Sequence, residues 1–288
     1  LLGLVCGLNL ATRALSTSEQ GVITAKPIYP PFMSAPALSS RTLTTIPMND
    51  RVIDFDALEK AITAETKLLL FCNPHNPGGG VYRREELERL AQIIINHDLL
   101  ICSDEIHCDL ILEPELHHTP IASLNEEIAS RTVTLMAPSK TWNIAGLACS
   151  VAIIQNSELR KRFKQVRRGI VPDVNLLGYT AAEAAYSFGD NWNRAQCEYL
   201  RANRDFLQAE IANIPGLTMQ LNEATYLAWI DATQLGVENP QRLFESFGLG
   251  LSDGQDFGAP KFVRLNFGCP RSRVEEAVQR IKQAVDSL

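Results

Sequence analysis

The alternation of short apolar runs with helical stretches is the feature that most restricts what this chain can fold into. Runs rich in aliphatic and β-branched residues recur at 22–26, 67–72, 99–103, 132–136 and 147–154. Between the second and third runs, apolar residues of 84–97 follow the i, i+3, i+4, i+7 spacing of one helix face. Such alternation predicts an α/β fold, in which a mostly parallel central sheet is covered by helices on both faces.

The pattern changes in the last third of the chain. Short candidate strands at 217–221, 226–231 and 261–267 surround one helix and precede a final helix at 273–287. This order is typical of an α+β unit, and 288 residues exceed the usual size of one domain. We therefore predict a large domain over 1–204 and a smaller C-terminal α+β domain over 205–288.

Composition excludes several classes of function. The net charge of −6 is spread along the chain without a basic block, which argues against nucleic acid or an anionic membrane as partner. No apolar run is long enough to span a bilayer. Seven cysteines without C-x-x-C spacing predict buried thiols in a reducing compartment, hence a cytoplasmic protein. His117 and His118 lack further ligands at metal spacing, so we interpret them as a solvated loop and predict no metal site.

Two residues that follow predicted strands can carry chemistry, because ligands collect at the carboxyl ends of parallel strands. Lys140 follows the run at 132–136, where a lysine of lowered pKa could act as an amine nucleophile; the alternative is a surface lysine. Asp104 ends a buried run and requires a cation, such as the protonated pyridine nitrogen of pyridoxal 5'-phosphate (PLP). The alternative for Asp104 is a helix N-cap.

Two further residues suit the recognition of a small ligand. Asn76 lies in a loop, 73–80, where two X-Pro steps and three glycines hold the backbone in a tight path; the alternative is a plain turn. Arg264 alternates with Val263 and Leu265, so it faces away from the core side of its strand. There it suits a bidentate grip on a carboxylate, and the alternative is an exposed arginine.

Four motifs stand in one order along the chain: NPHNPGG, SDEIH, APSKTWNIAGL and FVRLNFGCPR. Together they resemble the fold-type I PLP enzymes of the class I/II aminotransferase superfamily, and most closely the cystathionine β-lyase-like C–S lyases within it. The resemblance covers essentially the whole chain and implies a PLP-dependent transferase-like fold. Members carry a further N-terminal segment, and this chain begins without methionine inside a predicted helix. We therefore expect the N-terminal part of the family pattern to be missing from it.

The resemblance also implies a role for each matching residue. Lys140 forms the Schiff base with PLP and moves the α-proton, while Asp104 pairs with the pyridine nitrogen. Asn76 bonds the ring O3′, Tyr29 stacks on the ring, and Arg264 binds the substrate carboxylate. Gly3, Leu4 and Val5 match the helix start whose amides bind the phosphate, and Ser139 adds a hydroxyl to that phosphate. His107 is the remaining cofactor-binding residue.

Two departures from the aminotransferase pattern favour the lyase branch. His107 stands where many aminotransferases have tyrosine, and Ala148 stands where they have a phosphate-binding arginine. The resemblance thus implies β-elimination of cystathionine or a related cysteine S-conjugate to a thiol, pyruvate and ammonia. An aminotransferase on the same scaffold, or a PLP-binding regulatory protein without turnover, remains an alternative. The family's shared active sites imply a homodimer.

Overall fold

The chain forms two sheets, and a computed structural model describes all of residues 1–288. The larger sheet has seven strands in the order β3-β2-β1-β4-β5-β6-β7. Its strands are β1 Gly21–Lys26, β2 Leu43–Asn49, β3 Val52–Ile53, β4 Thr66–Cys72, β5 Leu100–Asp104, β6 Thr132–Met136 and β7 Val151–Ile153. The smaller sheet has the order β10-β11-β9-β8, with strands β8 Thr218–Met219, β9 Leu227–Asp231, β10 Ser252–Asp253 and β11 Phe262–Asn266.

Ten α-helices cover these sheets. They are α1 Leu4–Leu15, α2 Pro31–Leu38, α3 Phe55–Ala61, α4 Arg84–Asn96, α5 Glu126–Ser130, α6 Ser157–Arg167, α7 Leu176–Phe188, α8 Asp190–Ala212, α9 Pro240–Ser246 and α10 Arg271–Asp286. None of them combines the length and the apolar composition that a bilayer span requires.

Alternation along the central strands explains why helices cover both faces of the large sheet. In β4, Leu68 and Leu70 belong to the core that also contains α1 and α6. Leu69 and Phe71 point the other way, into the core that contains α3 and α4. Because the side chains of a strand alternate between faces, a run of five apolar residues supplies both cores at once. The predicted α/β architecture with helices on both faces is confirmed.

Two details of the large sheet differ from the sequence prediction. The run at 147–154 forms a strand only over β7, because 145–147 is a 3-10 turn, and β7 pairs antiparallel with β6. The strand β2, which pairs in parallel with β1, was not predicted. Only Ile46 is buried in this strand, the other residues are half-buried or exposed, and Pro47 lies within it, so the stretch lacks a continuous apolar run.

The smaller sheet is antiparallel and forms its own core with α8, α9 and α10. This agrees with the α+β pattern of the C-terminal segment. The predicted domain boundary at 204/205 falls inside α8, so one continuous helix runs through it. The division into two domains at that point stays a prediction.

Candidate active site

A cavity of about 460 Å³ lies between the carboxyl ends of the large sheet's central strands and the small sheet. Every residue predicted from the sequence to bind cofactor or substrate lines it. They are Gly3, Leu4, Val5, Tyr29, Asn76, Asp104, His107, Ser139, Lys140 and Arg264. The cavity thus unites predicted residues that lie as far apart in the sequence as Gly3 and Arg264.

Asp104 is the last residue of β5 and has only 4% of its surface exposed. Its Oδ1 accepts a hydrogen bond from the backbone N–H of Ile106 at 3.1 Å, and no cationic side chain forms a salt bridge with it. A turn follows instead of a helix, so the helix N-cap alternative is wrong. Burial raises the pKa of Asp104 to about 7, although the Ile106 N–H and the charge of Lys140 act in the opposite direction. A cation next to this carboxylate would therefore be strongly favoured.

Asn76 is held by contacts on both sides of its loop. Its backbone oxygen accepts from the N–H of Tyr29 at 3.1 Å, which brings the loops after β1 and β4 together. Its side-chain Oδ1 accepts from Nη1 of Arg264 at 2.8 Å. Because the oxygen is occupied by the guanidinium, the amide Nδ2 remains as a donor at the cavity.

Gly79 shows why the loop at 73–80 needs glycine. Its φ of +71° lies in the left-handed region, and a Cβ there would come within 1.6 Å of Oδ1 of Asn222. Its carbonyl accepts from the N–H of Ala224 at 2.9 Å, which joins the loop to the segment before β9. The glycine therefore permits the close approach that fixes Asn76 opposite Arg264.

Arg264 is half-buried at the centre of β11 and has no carboxylate partner among the salt bridges of the chain. Its Nη2 donates to Oγ of Ser252 at 3.3 Å, and its guanidinium carbon lies 4.6 Å from the ring centre of Phe257. Burial lowers the pKa of Arg264 from its ordinary value, and only Tyr29 and Tyr226 act in the opposite direction. The arrangement provides an oriented guanidinium without a carboxylate partner, which can bind a ligand carboxylate. Since Arg264 is half-buried, the alternative of an exposed arginine is wrong.

Lys140 and the start of α1 face the same cavity. Lys140 is half-buried after β6 and makes no hydrogen bond or salt bridge within the chain. In α1 the first backbone N–H that donates to a carbonyl is that of Gly7, which bonds the oxygen of Gly3 at 3.1 Å. No side chain caps this helix, so the N–H groups of Leu4 and Val5 remain available to an anion.

His107 contributes a neutral ring. Burial, together with the nearby charges of Lys140 and Arg264, lowers the pKa of His107 to about 3. Its Nδ1 is buried and has no hydrogen-bond partner in the chain. A buried polar atom without a partner is costly, and one at a cavity wall is a site where a ligand atom can bind.

These groups fit PLP in its chemical requirements. An uncapped helix start suits a phosphate, the unpaired Asp104 carboxylate suits a protonated ring nitrogen, and Lys140 supplies the amine. Tyr29 offers an aromatic face in the same cavity. The individual roles of these residues remain predictions.

The sequence reasoning missed two polar residues of the cavity. Tyr226, just before β9, lines it, and burial raises the pKa of its hydroxyl. Asn266 lines it as well, from the same face of β11 as Arg264. The two-residue spacing between Arg264 and Asn266 was a signal that could have identified Asn266. Nothing local marked Tyr226.

The interpretation of 117–118 as a solvated loop is wrong for His118. Its side chain is only 7% exposed, and its Nε2 lies 2.7 Å from Oε2 of Glu105, which has no exposed surface. The second oxygen of Glu105 accepts from Oγ of Ser103 at 2.8 Å. His117 is exposed as expected. The sequence could not reveal this pair because its members lie thirteen residues apart in a segment without regular structure.

Comparison with known proteins gives consistent similarities. Residues 3–281 match the family model described as aminotransferase class I and II. Cystathionine β-lyase PatB from Bacillus subtilis (strain 168) is 34% identical, over 98% of this chain and 76% of the relative. The crystal structure of OvoB is 52% identical with a TM-score of 0.98, over 100% of this chain and 77% of that one. Cystalysin from Treponema denticola, whose crystal structure contains PLP, is 33% identical with a TM-score of 0.94, over 99% and 75% of the two chains.

Proposed function

Because this chain belongs to the aminotransferase class I and II family, we propose that it is a PLP-dependent C–S β-lyase acting on cystathionine or a related cysteine S-conjugate. The observation that carries the proposal is the single cavity that unites the amine of Lys140, the unpaired carboxylate of Asp104 and the unpaired guanidinium of Arg264. The similarity to a relative named cystathionine β-lyase and to PLP-containing cystalysin supports it.

In this proposal the chain's own residues hold the cofactor as follows. Asp104 binds the ring nitrogen, Asn76 donates from Nδ2 to the ring oxygen, and the N–H groups at the start of α1, from Gly3 to Val5, bind the phosphate. His107, Tyr29 and Ser139 line the same space and complete the set. When bound, PLP supplies an electron sink for the pair left on the substrate Cα once its proton has been removed.

Arg264 and Lys140 act on the substrate. Arg264 binds the α-carboxylate with two donors and thereby fixes the orientation of Cα, a positioning contribution that lowers the entropic part of the barrier. Nζ of Lys140 removes the Cα proton as a general base. The Cβ–S bond breaks, a Cα–Cβ double bond forms, and the sulfur leaves as a thiol. The remaining three-carbon fragment is hydrolysed to pyruvate and ammonia.

We further propose that the chain works as a homodimer in the cytoplasm. The helix α7 exposes Leu176, Leu177 and Phe188 by 78%, 69% and 83%, an apolar face of the kind that a second subunit covers. All seven cysteines are unpaired, in keeping with a reducing compartment. Sedimentation velocity of the wild type and of Leu177→Glu tests the dimer: we expect the variant to shift towards the monomer, and a monomeric wild type would contradict it.

The test of activity combines a spectrum with a product assay. The purified protein is incubated with PLP, its visible absorbance is recorded, cystathionine is added, and pyruvate and free thiol are measured. We expect a band of lysine-bound cofactor and equal amounts of the two products. Lys140→Ala should lose both, whereas the exposed Lys161→Ala should keep both.

Two results would contradict the proposal in different ways. A cofactor band without pyruvate from cystathionine or other S-conjugates, but with keto acid formed when an acceptor is supplied, would identify an aminotransferase instead. Pyruvate formation that survives in Lys140→Ala would remove the lysine from its proposed role.

A further inference from the structure

A second cavity, of about 270 Å³, adjoins the first at Lys140 and also shares Tyr226 and Asn266 with it. Its outer wall is one face of α8, formed by Trp192, Gln196, Tyr199 and Leu200. The spacing i, i+4, i+7, i+8 places these four residues on a single side of the helix. We call this space the aromatic cavity, after Trp192, Tyr199 and Tyr226.

Two polar groups on the α8 wall already have partners in the chain. Nε2 of Gln196 donates to the carbonyl of Thr141 at 2.8 Å, which ties α8 to the residue after Lys140. The hydroxyl of Tyr199 accepts from the N–H of Arg271 at 2.7 Å. These bonds hold the wall in place, so its ring faces are available for contact with a ligand.

The two cavities differ in charge. The first contains Asp104 and Arg264 beside Lys140, whereas Lys140 is the only charged residue among the ten that line the aromatic cavity. Apart from Lys140, which acts at Cα, the aromatic cavity offers no charged partner to the amino and carboxylate groups at the far end of cystathionine. A neutral ring would lose little hydration and would gain aromatic contacts.

We propose that the aromatic cavity binds the sulfur substituent of the substrate and selects cysteine S-conjugates that carry a neutral aromatic group. The inference rests on the proposed lyase function and specifies its substrate class. With the α-carboxylate at Arg264 and Cα at Lys140, the space near Asp104 and α1 is taken by the cofactor. The aromatic cavity is the space that remains beside Lys140 for the rest of the substrate.

The test compares three substrates that all release an alkyl thiol: S-benzyl-L-cysteine, S-(cyclohexylmethyl)-L-cysteine and cystathionine. The first two match in shape and differ in aromaticity, while the third carries the charged end. We expect kcat/KM from pyruvate release to be about tenfold higher for the benzyl conjugate than for each of the others. The benzyl isostere 2-amino-5-phenylpentanoate has carbon in place of sulfur and cannot be cleaved, so it should bind as a competitive inhibitor.

Trp192→Leu is the test variant. Ala195→Leu is the matched control, because it introduces the same leucine side chain at an exposed position of α8 that lines neither cavity. Trp192→Leu should lower kcat/KM for the benzyl conjugate and weaken the inhibitor about fivefold to tenfold. The cyclohexylmethyl conjugate should change by less than about twofold, and Ala195→Leu should change nothing.

The outcomes separate the inference from the function on which it rests. Pyruvate released from all three substrates without preference, or an equal loss for all three in Trp192→Leu, would overturn the aromatic cavity and leave the lyase proposal intact. No pyruvate from any substrate, in a protein that shows the cofactor band, would overturn the lyase proposal and the inference with it.

Discussion

Replacement of His118 by alanine should destabilise the protein substantially, although His118 lies outside the cavity. It is the partner of Glu105 at 2.7 Å, and the two side chains are 7% and 0% exposed. Removal of His118 leaves the buried Glu105 side chain without this partner, and breaking a buried pair in this way costs about 3–5 kcal/mol. Because Ser103 still donates to Glu105 at 2.8 Å, we expect a loss near the lower end, about 3 kcal/mol of unfolding free energy.

Urea unfolding without added cofactor measures this loss, since ligand binding would otherwise mask it. His117→Ala is the matched control, because His117 is the exposed neighbour and should change stability by less than about 0.5 kcal/mol. A double-mutant cycle with Glu105→Gln should give a coupling free energy of about 1–3 kcal/mol. Stability of His118→Ala equal to that of His117→Ala would refute the reasoning, as would a coupling of zero.

Three further predictions follow from the site and its loop. Asp104→Asn should remove a pH dependence from the stability of the cofactor-free protein, because burial raises the pKa of Asp104 to about 7. The protonated carboxyl of Asp104 favours the folded state fully below about pH 4, and this contribution, on the order of 4 kcal/mol, is lost as the pH rises to 7. Urea unfolding of both proteins across this pH range tests the prediction, and parallel stability curves would contradict it. Arg264→Lys loses the planar fork, so steady-state kinetics should show kcat/KM lower by about 10- to 100-fold, and unchanged kinetics would exclude a carboxylate-binding role. Gly79→Ala should lower the unfolding free energy measured in urea by about 3 kcal/mol, because of the φ of +71° and the contact of the added Cβ with Asn222. Gly146 has open space around it, so Gly146→Ala should change the unfolding free energy by less than about 0.5 kcal/mol, and equal effects of the two substitutions would contradict the steric argument.

The amino-acid pattern alone determined the architecture of the large domain and the elements that carry the site. Aliphatic runs such as that of β4 can be buried only when both faces of a sheet are covered, so the run itself predicts helices on both sides. Asp104 and Lys140 follow such runs, and the carboxyl ends of parallel strands meet at one edge. The alternation of side chains along β11 likewise predicted that Arg264 faces away from the core, because neighbouring residues of a strand point to opposite faces.

Only the tertiary structure decided which distant residues become partners. Arg264 bonds Asn76 across 188 residues of sequence, and Glu105 meets His118 although no periodic pattern connects them. Tyr226 reaches the cavity only through the placement of β9 beside β11. Local patterns report which face of an element is buried, because burial depends on periodicity within that element. Contacts between elements depend on how the elements pack, and the chain acquires them only when it folds.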